Sequence, residues 1–151
     1  MDVIVFTRAD GNLTVRNLPL GATDQDFARA IQHAIDSGKA ADMPIRGNET
    51  IRPVDHTFRN AWMITDGSIS TDMSKAREIH ADHIVNAQTI QMARLKVEER
   101  KERLRGNIAQ ADQHAADTTA LEALDLNVLA TRIANAATPQ ALKAIWPAKV
   151  P

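Results

Sequence analysis

The chain opens on a short apolar run at 3–7, turns at Asp10-Gly11-Asn12, and then alternates apolar and polar residues from Leu13 to Arg16. A two-residue rhythm on both sides of a glycine turn predicts a β-hairpin. After the break at Leu18-Pro19-Leu20-Gly21 the rhythm changes. Thr23 stands where a helix cap belongs, Asp24 and Asp26 supply acidic charge for the first turn, and Phe27, Ala30, Ile31, Ala34 and Ile35 recur at helical spacing. Gly38 and Lys39 form the stop signal, so one amphipathic helix over about 24–37 should cover the hairpin. The turn-rich stretch 39–53 keeps Ile45 and Ile51, which predicts a loop or short edge strands. Segments 58–65 and 68–70 flank Asp66-Gly67, a dipeptide suited to a two-residue hairpin turn.

From Thr71 no glycine or proline interrupts the chain until Gly106, which predicts one long helix over about 71–105. Ser70, Thr71 or Asp72 is placed to cap it. Its apolar residues recur at eleven-residue spacing: Met73, Ile84 and Leu95; Ala76 and Ala87; Ile79 and Ile90; Val97 and Ile108. Such a period is about 3.67 residues per turn and gives a stripe that runs almost straight or drifts into a right-handed supercoil. The stripe needs a partner. The C-terminal half folded back is one, and two further copies around a threefold axis are the other. Shorter helices are predicted at 119–124, 127–136 with Leu129 and Ile133, and 139–146, with breaks at Asp125 and Thr138-Pro139. The fold class is therefore α+β and mainly helical overall. A small hairpin-plus-helix unit occupies 1–70 and a helical region occupies 71–151.

The junction of these two parts is its most distinctive segment. TFRNAW at 57–62, a short turn, and DMSKAREI at 72–79 resemble a signature of small proteins encoded in tail and tail-fibre loci of tailed bacteriophages. The ending AATPQALKAIWP, with Thr138-Pro139 opening a short helix and Trp146-Pro147 closing it, is similar to the tail of many such proteins. The resemblance implies a virion or virion-assembly role, in the tail, for a protein made in the host cytoplasm. It brings no catalytic residue with it. On this reading the segment 55–80 marks where a globular head meets a helical stalk.

At 44% hydrophobic and 25% charged residues the composition is that of a folded soluble protein. Aromatics make up only 3% and there is no Tyr, so the core must be built from Ile, Leu, Val and Ala. A net charge of −1 and a pI near 6.5 argue against a dedicated nucleic-acid binder, which needs a basic surface. Residues 94–105 hold six basic and three acidic side chains, and their mixed signs, with Glu99 and Arg103 four apart, read as a solvated helix face. Without Cys there is neither a disulfide nor a thiolate metal site. The N-terminus lacks the basic-then-apolar pattern of a signal peptide, and no apolar run approaches the ~20 residues of a membrane span.

Candidate chemistry is sparse. His80 and His83 share a helix face and would suit two metal ligands, yet a structural site needs about four and no third ligand is clearly placed. No metal or other cofactor and no small-molecule substrate is therefore expected. Ser68, Ser70 and Asp72 lack a glycine-framed nucleophile turn, so no catalytic residue and no enzymatic activity are expected either. Phe58 and Trp62, with Arg59 between them, are read as strand residues sharing one face, which would anchor the small unit's core or serve as a partner-binding anchor. The protein-interaction candidates are Phe58, Arg59, Trp62, Ile79, Ile84, Ile90, Leu95 and Trp146. The expected function is that of a non-enzymatic structural component of a phage tail or tail-fibre apparatus. It would be a homo-oligomer, with a coiled-coil trimer favoured, contacting other virion proteins but neither nucleic acid nor membrane. An assembly chaperone absent from the finished particle is the alternative.

Overall fold

A computed structural model describes residues 2–48, 55–148 and 150. The chain forms two compact units, Met1–Ala76 and Arg77–Pro151. Among the described residues the first holds the strands β1 (Asp2–Thr7), β2 (Leu13–Asn17), β3 (Ile45–Asn48), β4 (Trp62–Thr65) and β5 (Ser68–Thr71) and the α-helix α1 (Asp24–Asp36). Helix α2 (Met73–Leu104) starts in this unit and runs into the second, where α3 (Ile108–Glu122), α4 (Leu126–Asn135) and α5 (Pro139–Lys143) follow. The architecture is α+β with a helical C-terminal half.

In the first unit β1 is the central strand, antiparallel to β2 on one side and to β3 on the other. Both of its faces are covered, which is why Val3, Ile4, Val5 and Phe6 form one unbroken apolar run instead of alternating with polar residues. Ile4 and Phe6 meet Leu18 and the α1 residues Phe27, Ala30 and Ala34, while Val3 and Val5 meet Leu13 and Trp62. Helix α1 begins with a capping box: the Thr23 hydroxyl accepts from the Asp26 N–H and the Asp26 carboxylate accepts from the Thr23 N–H. Arg46 of β3 pairs with Asp24 and lies over the Phe27 ring, 3.7 Å from its centroid. Of the two isoleucines in the stretch expected to be a loop or short edge strands, Ile45 lies in β3 and Ile51 lies outside the described residues.

The hairpin β4–β5 turns at Asp66-Gly67, where φ values of 50° and 73° give the left-handed turn that right-twisted strands need. The strand expected to begin at Phe58 begins at Trp62 instead. Phe58 precedes a 3₁₀ turn, Arg59–Ala61, because the Asp55 carboxylate captures the Thr57 N–H and hydroxyl and two i→i+3 backbone bonds follow, Arg59 N–H to His56 and Ala61 N–H to Phe58. Phe58 and Trp62 therefore do not share a strand face, although both are buried. Asp72 is the cap of α2, its carboxylate accepting from Ser74 and Lys75. The first turn of α2 belongs to this unit, with Ala76 fully buried and the Lys75 ammonium 3.0 Å from the Asn12 side-chain oxygen.

In the second unit α2 turns into α3 through Gly106, at φ 79°, with the Asn107 N–H returning to the Glu102 carbonyl. Helix α3 starts eleven residues before the position 119 expected from sequence. Its first eleven residues read IAQADQHAADT, and the alanines that make it helical carry too little hydrophobic contrast to reveal a period. It packs back along α2: Leu95 meets Leu121 and Val150, the Gln88 amide donates to the Leu121 carbonyl, and Lys96 pairs with Glu122 at 3.1 Å. Helix α4 is capped by Asp125 and α5 by Thr138. Helix α5 closes at Lys143, earlier than the expected 146, since Pro147 disfavours a helical Trp146.

Candidate interaction surfaces

The eleven-residue periodicity of α2 resolves into two faces rather than one. At about 100° per residue, Ile90 lies about 120° around the helix from Ile84 and Ile79 about 140° from it. On one face the chain itself covers Ala76, His80, Ile84, Gln88, Leu95 and Glu102. Fold-back of the C-terminal half thus supplies the partner for the Ile84 and Leu95 line. On the other face Ile79 is half-buried, Ile90 is 69% exposed, Val97 52% and Leu104 82%. Ile108, in α3 beyond the turn, is also exposed.

His80 is turned to structural use. Its Nε2 lies 2.8 Å from the Ile145 carbonyl oxygen, and because a carbonyl only accepts, that nitrogen carries the proton. A protonated Nε2 has no lone pair for a metal. His83 is exposed, and among the described residues no group of three His, Cys, Asp or Glu side chains converges. The two histidines are therefore not brought together as ligands.

Of the aromatic candidates, Trp62 is 5% exposed and packs edge-on against His56 with ring centroids 5.2 Å apart. Exposed Arg59 borders a hollow of only about 110 Å³ beside them. Trp146 is different: it is 38% exposed, and its indole N–H donates to the Val150 carbonyl at 2.7 Å. That bond holds the ring at the edge of an open groove of about 500 Å³ between the C-terminal segment and α4, whose walls include Leu124, Val128, Leu129 and Pro147. Arg132 and Asp125 stand at the groove, with the Asp125 carboxylate held by the N–H groups of Asn127 and Val128.

Val128 and Arg132 escape a reading based on hydrophobic period, because the apolar face of α4 is set by Leu129 and Ile133. Their i,i+4 spacing was the available sign that they share a second face. Among the described residues the groove joins an exposed indole and apolar side chains to the Arg132 guanidinium and the capping carboxylate of Asp125, an arrangement that offers contact area. Among the described residues no helix is long and apolar enough to cross a membrane. No known protein family, no curated protein and no solved structure matches the chain.

Proposed function

We propose that this protein is a non-enzymatic structural component of a bacteriophage tail or tail-fibre apparatus and works by protein–protein contact. The Trp146 groove carries the contact reading. Trp and Arg are among the side chains enriched at binding hot spots, and here Trp146 and Arg132 border one apolar groove of peptide-accommodating size. The assignment to a phage tail rests on the likeness of residues 57–62 and 72–79 to the tail-locus signature, with the 136–147 ending as its echo.

The test is quantitative mass spectrometry of purified virions from a phage that encodes this chain, alongside the variants Trp146→Ala and Val128→Asp. Several copies per particle, reduced in variants that remain folded by circular dichroism, is the expected result. A protein required for tail assembly yet absent from the particle would make it an assembly chaperone instead.

A further inference from the structure

We infer that the outer face of α2 between Asn86 and Leu104 is a docking seam for an acidic amphipathic helix of another protein. Ile90, Val97 and Leu104 recur every seven residues along this face, all more than half exposed, with Ala93 between the first two. A seven-residue repeat of exposed aliphatic residues is the pattern by which one helix seats its knobs in another. The three span fourteen residues, roughly 21 Å at 1.5 Å per residue, or about four helical turns. This seam is distinct from the covered face that holds Ile84, Gln88 and Leu95.

Charge decides the occupant. Arg94, Arg100 and Lys101 flank the three aliphatic residues, and no carboxylate lies on that face from 86 to 104. Lys101 reaches sideways to Glu98 at 2.8 Å and Arg94 also acts on that carboxylate, whereas among the described residues Arg100 has no ion-pair partner. A second copy is the wrong partner in either direction. A parallel pair in register brings Lys96 of one helix against Lys101 of the other, and an antiparallel pair centred on Val97 brings Arg94 against Arg100. An anionic membrane matches the charge but not the shape, since surface helices present a broad apolar face and this one is kept narrow by the cations that flank it. A helix with aliphatic residues at its a and d positions and Glu at its e and g positions satisfies both the seam and its rim.

The probe is a four-heptad peptide with Leu in its core and Glu at every e and g position, fluorescently labelled and titrated with the full chain at low salt. A sister peptide with Lys at those positions is the control. Saturable binding of the Glu peptide is expected, weakened at least tenfold by Val97→Glu and by 0.5 M salt, with no binding of the Lys peptide. The double variant Arg94→Glu, Arg100→Glu should exchange the preference, which a merely destabilised protein cannot do. No saturable binding, or equal binding of both peptides, overturns the seam. A dimer in light scattering that Val97→Glu dissociates, or binding to phosphatidylserine vesicles abolished by the same change, overturns the assigned occupant. Virion content plays no part in the readout, so the seam and the tail assignment stand or fall separately.

Discussion

The imidazole of His80, in the second turn of α2, donates from Nε2 to the carbonyl of Ile145 across sixty-five residues of chain, at 2.8 Å. The same ring lies 5.8 Å from the Trp146 indole, and Trp146 in turn bonds to Val150, which packs on Leu95 and Leu121. One histidine therefore helps to fix the C-terminal segment, and with it one wall of the apolar groove. Replacing His80 with Ala leaves the Ile145 carbonyl without that donor and opens a void. A loss of about 2–3 kcal/mol in urea unfolding is expected. Added Zn²⁺ should leave the melting temperature of the native protein unchanged, and a rise at stoichiometric metal would contradict the structural role.

The two tryptophans should separate in their effects. Trp62 is enclosed by the β-sheet core, so Trp62→Ala should cost about 3–5 kcal/mol and remove the near-ultraviolet signal of the first unit. Trp146→Ala removes a partly exposed ring and one hydrogen bond, and should leave a folded protein. A collapse of both variants in circular dichroism would mean that Trp146 is a core residue.

The opposed faces of α2 make a paired prediction. Ile84→Ala should destabilise by about 2–5 kcal/mol, because Ile84 is 2% exposed, while Ile90→Ala should change stability by less than about 0.5 kcal/mol. Chemical denaturation of both variants checks this. Equal losses would show that the Ile90 face is covered in solution.

Acid should weaken the fold. The Asn107 amide and the Arg105 guanidinium hold the Glu102 carboxyl below its ordinary value of 4.5, the Thr23 hydroxyl and N–H do the same for Asp26, and the Lys101 ammonium for Glu98. A carboxyl whose folded value is lowered contributes stability that is fully present above its unfolded value and is lost as pH falls through the folded one. The melting temperature should therefore be level from pH 7 down to about 5 and fall below pH 4.5. Glu102→Gln should melt lower at pH 7 and show a shallower acid decline, in thermal scans at constant ionic strength.

Where an element depends on residues within a few positions of one another, its place in the sequence was plain. Thr23 and Asp26 announce the start of α1, Asp66-Gly67 fixes the β4–β5 turn, Gly106 ends α2, and its start was narrowed to Ser70, Thr71 or Asp72, of which Asp72 is the cap. Phe58 shows the limit even at short range, since the Asp55 side chain drew the backbone into a turn that an aromatic run does not advertise. The groove around Trp146 was legible only as one conspicuous aromatic residue, because Val128 and Arg132 reach it through the docking of α4.

By itself the sequence determined the hairpin turns, the cap of α1, the unbroken length of α2 and the change from strand to helix near Thr71, because φ preferences, capping hydrogen bonds and side-chain period act over a turn or two of chain. Which of two similar apolar lines on α2 would be buried was not fixed at that range. Ile84 and Ile90 are equally hydrophobic, and only the return of α3, α4 and the residues around Ile145, with bonds such as His80 to Ile145 and Gln88 to Leu121, covered one and left the other exposed. Burial is decided by what arrives from far along the chain, and a local period records only that something must.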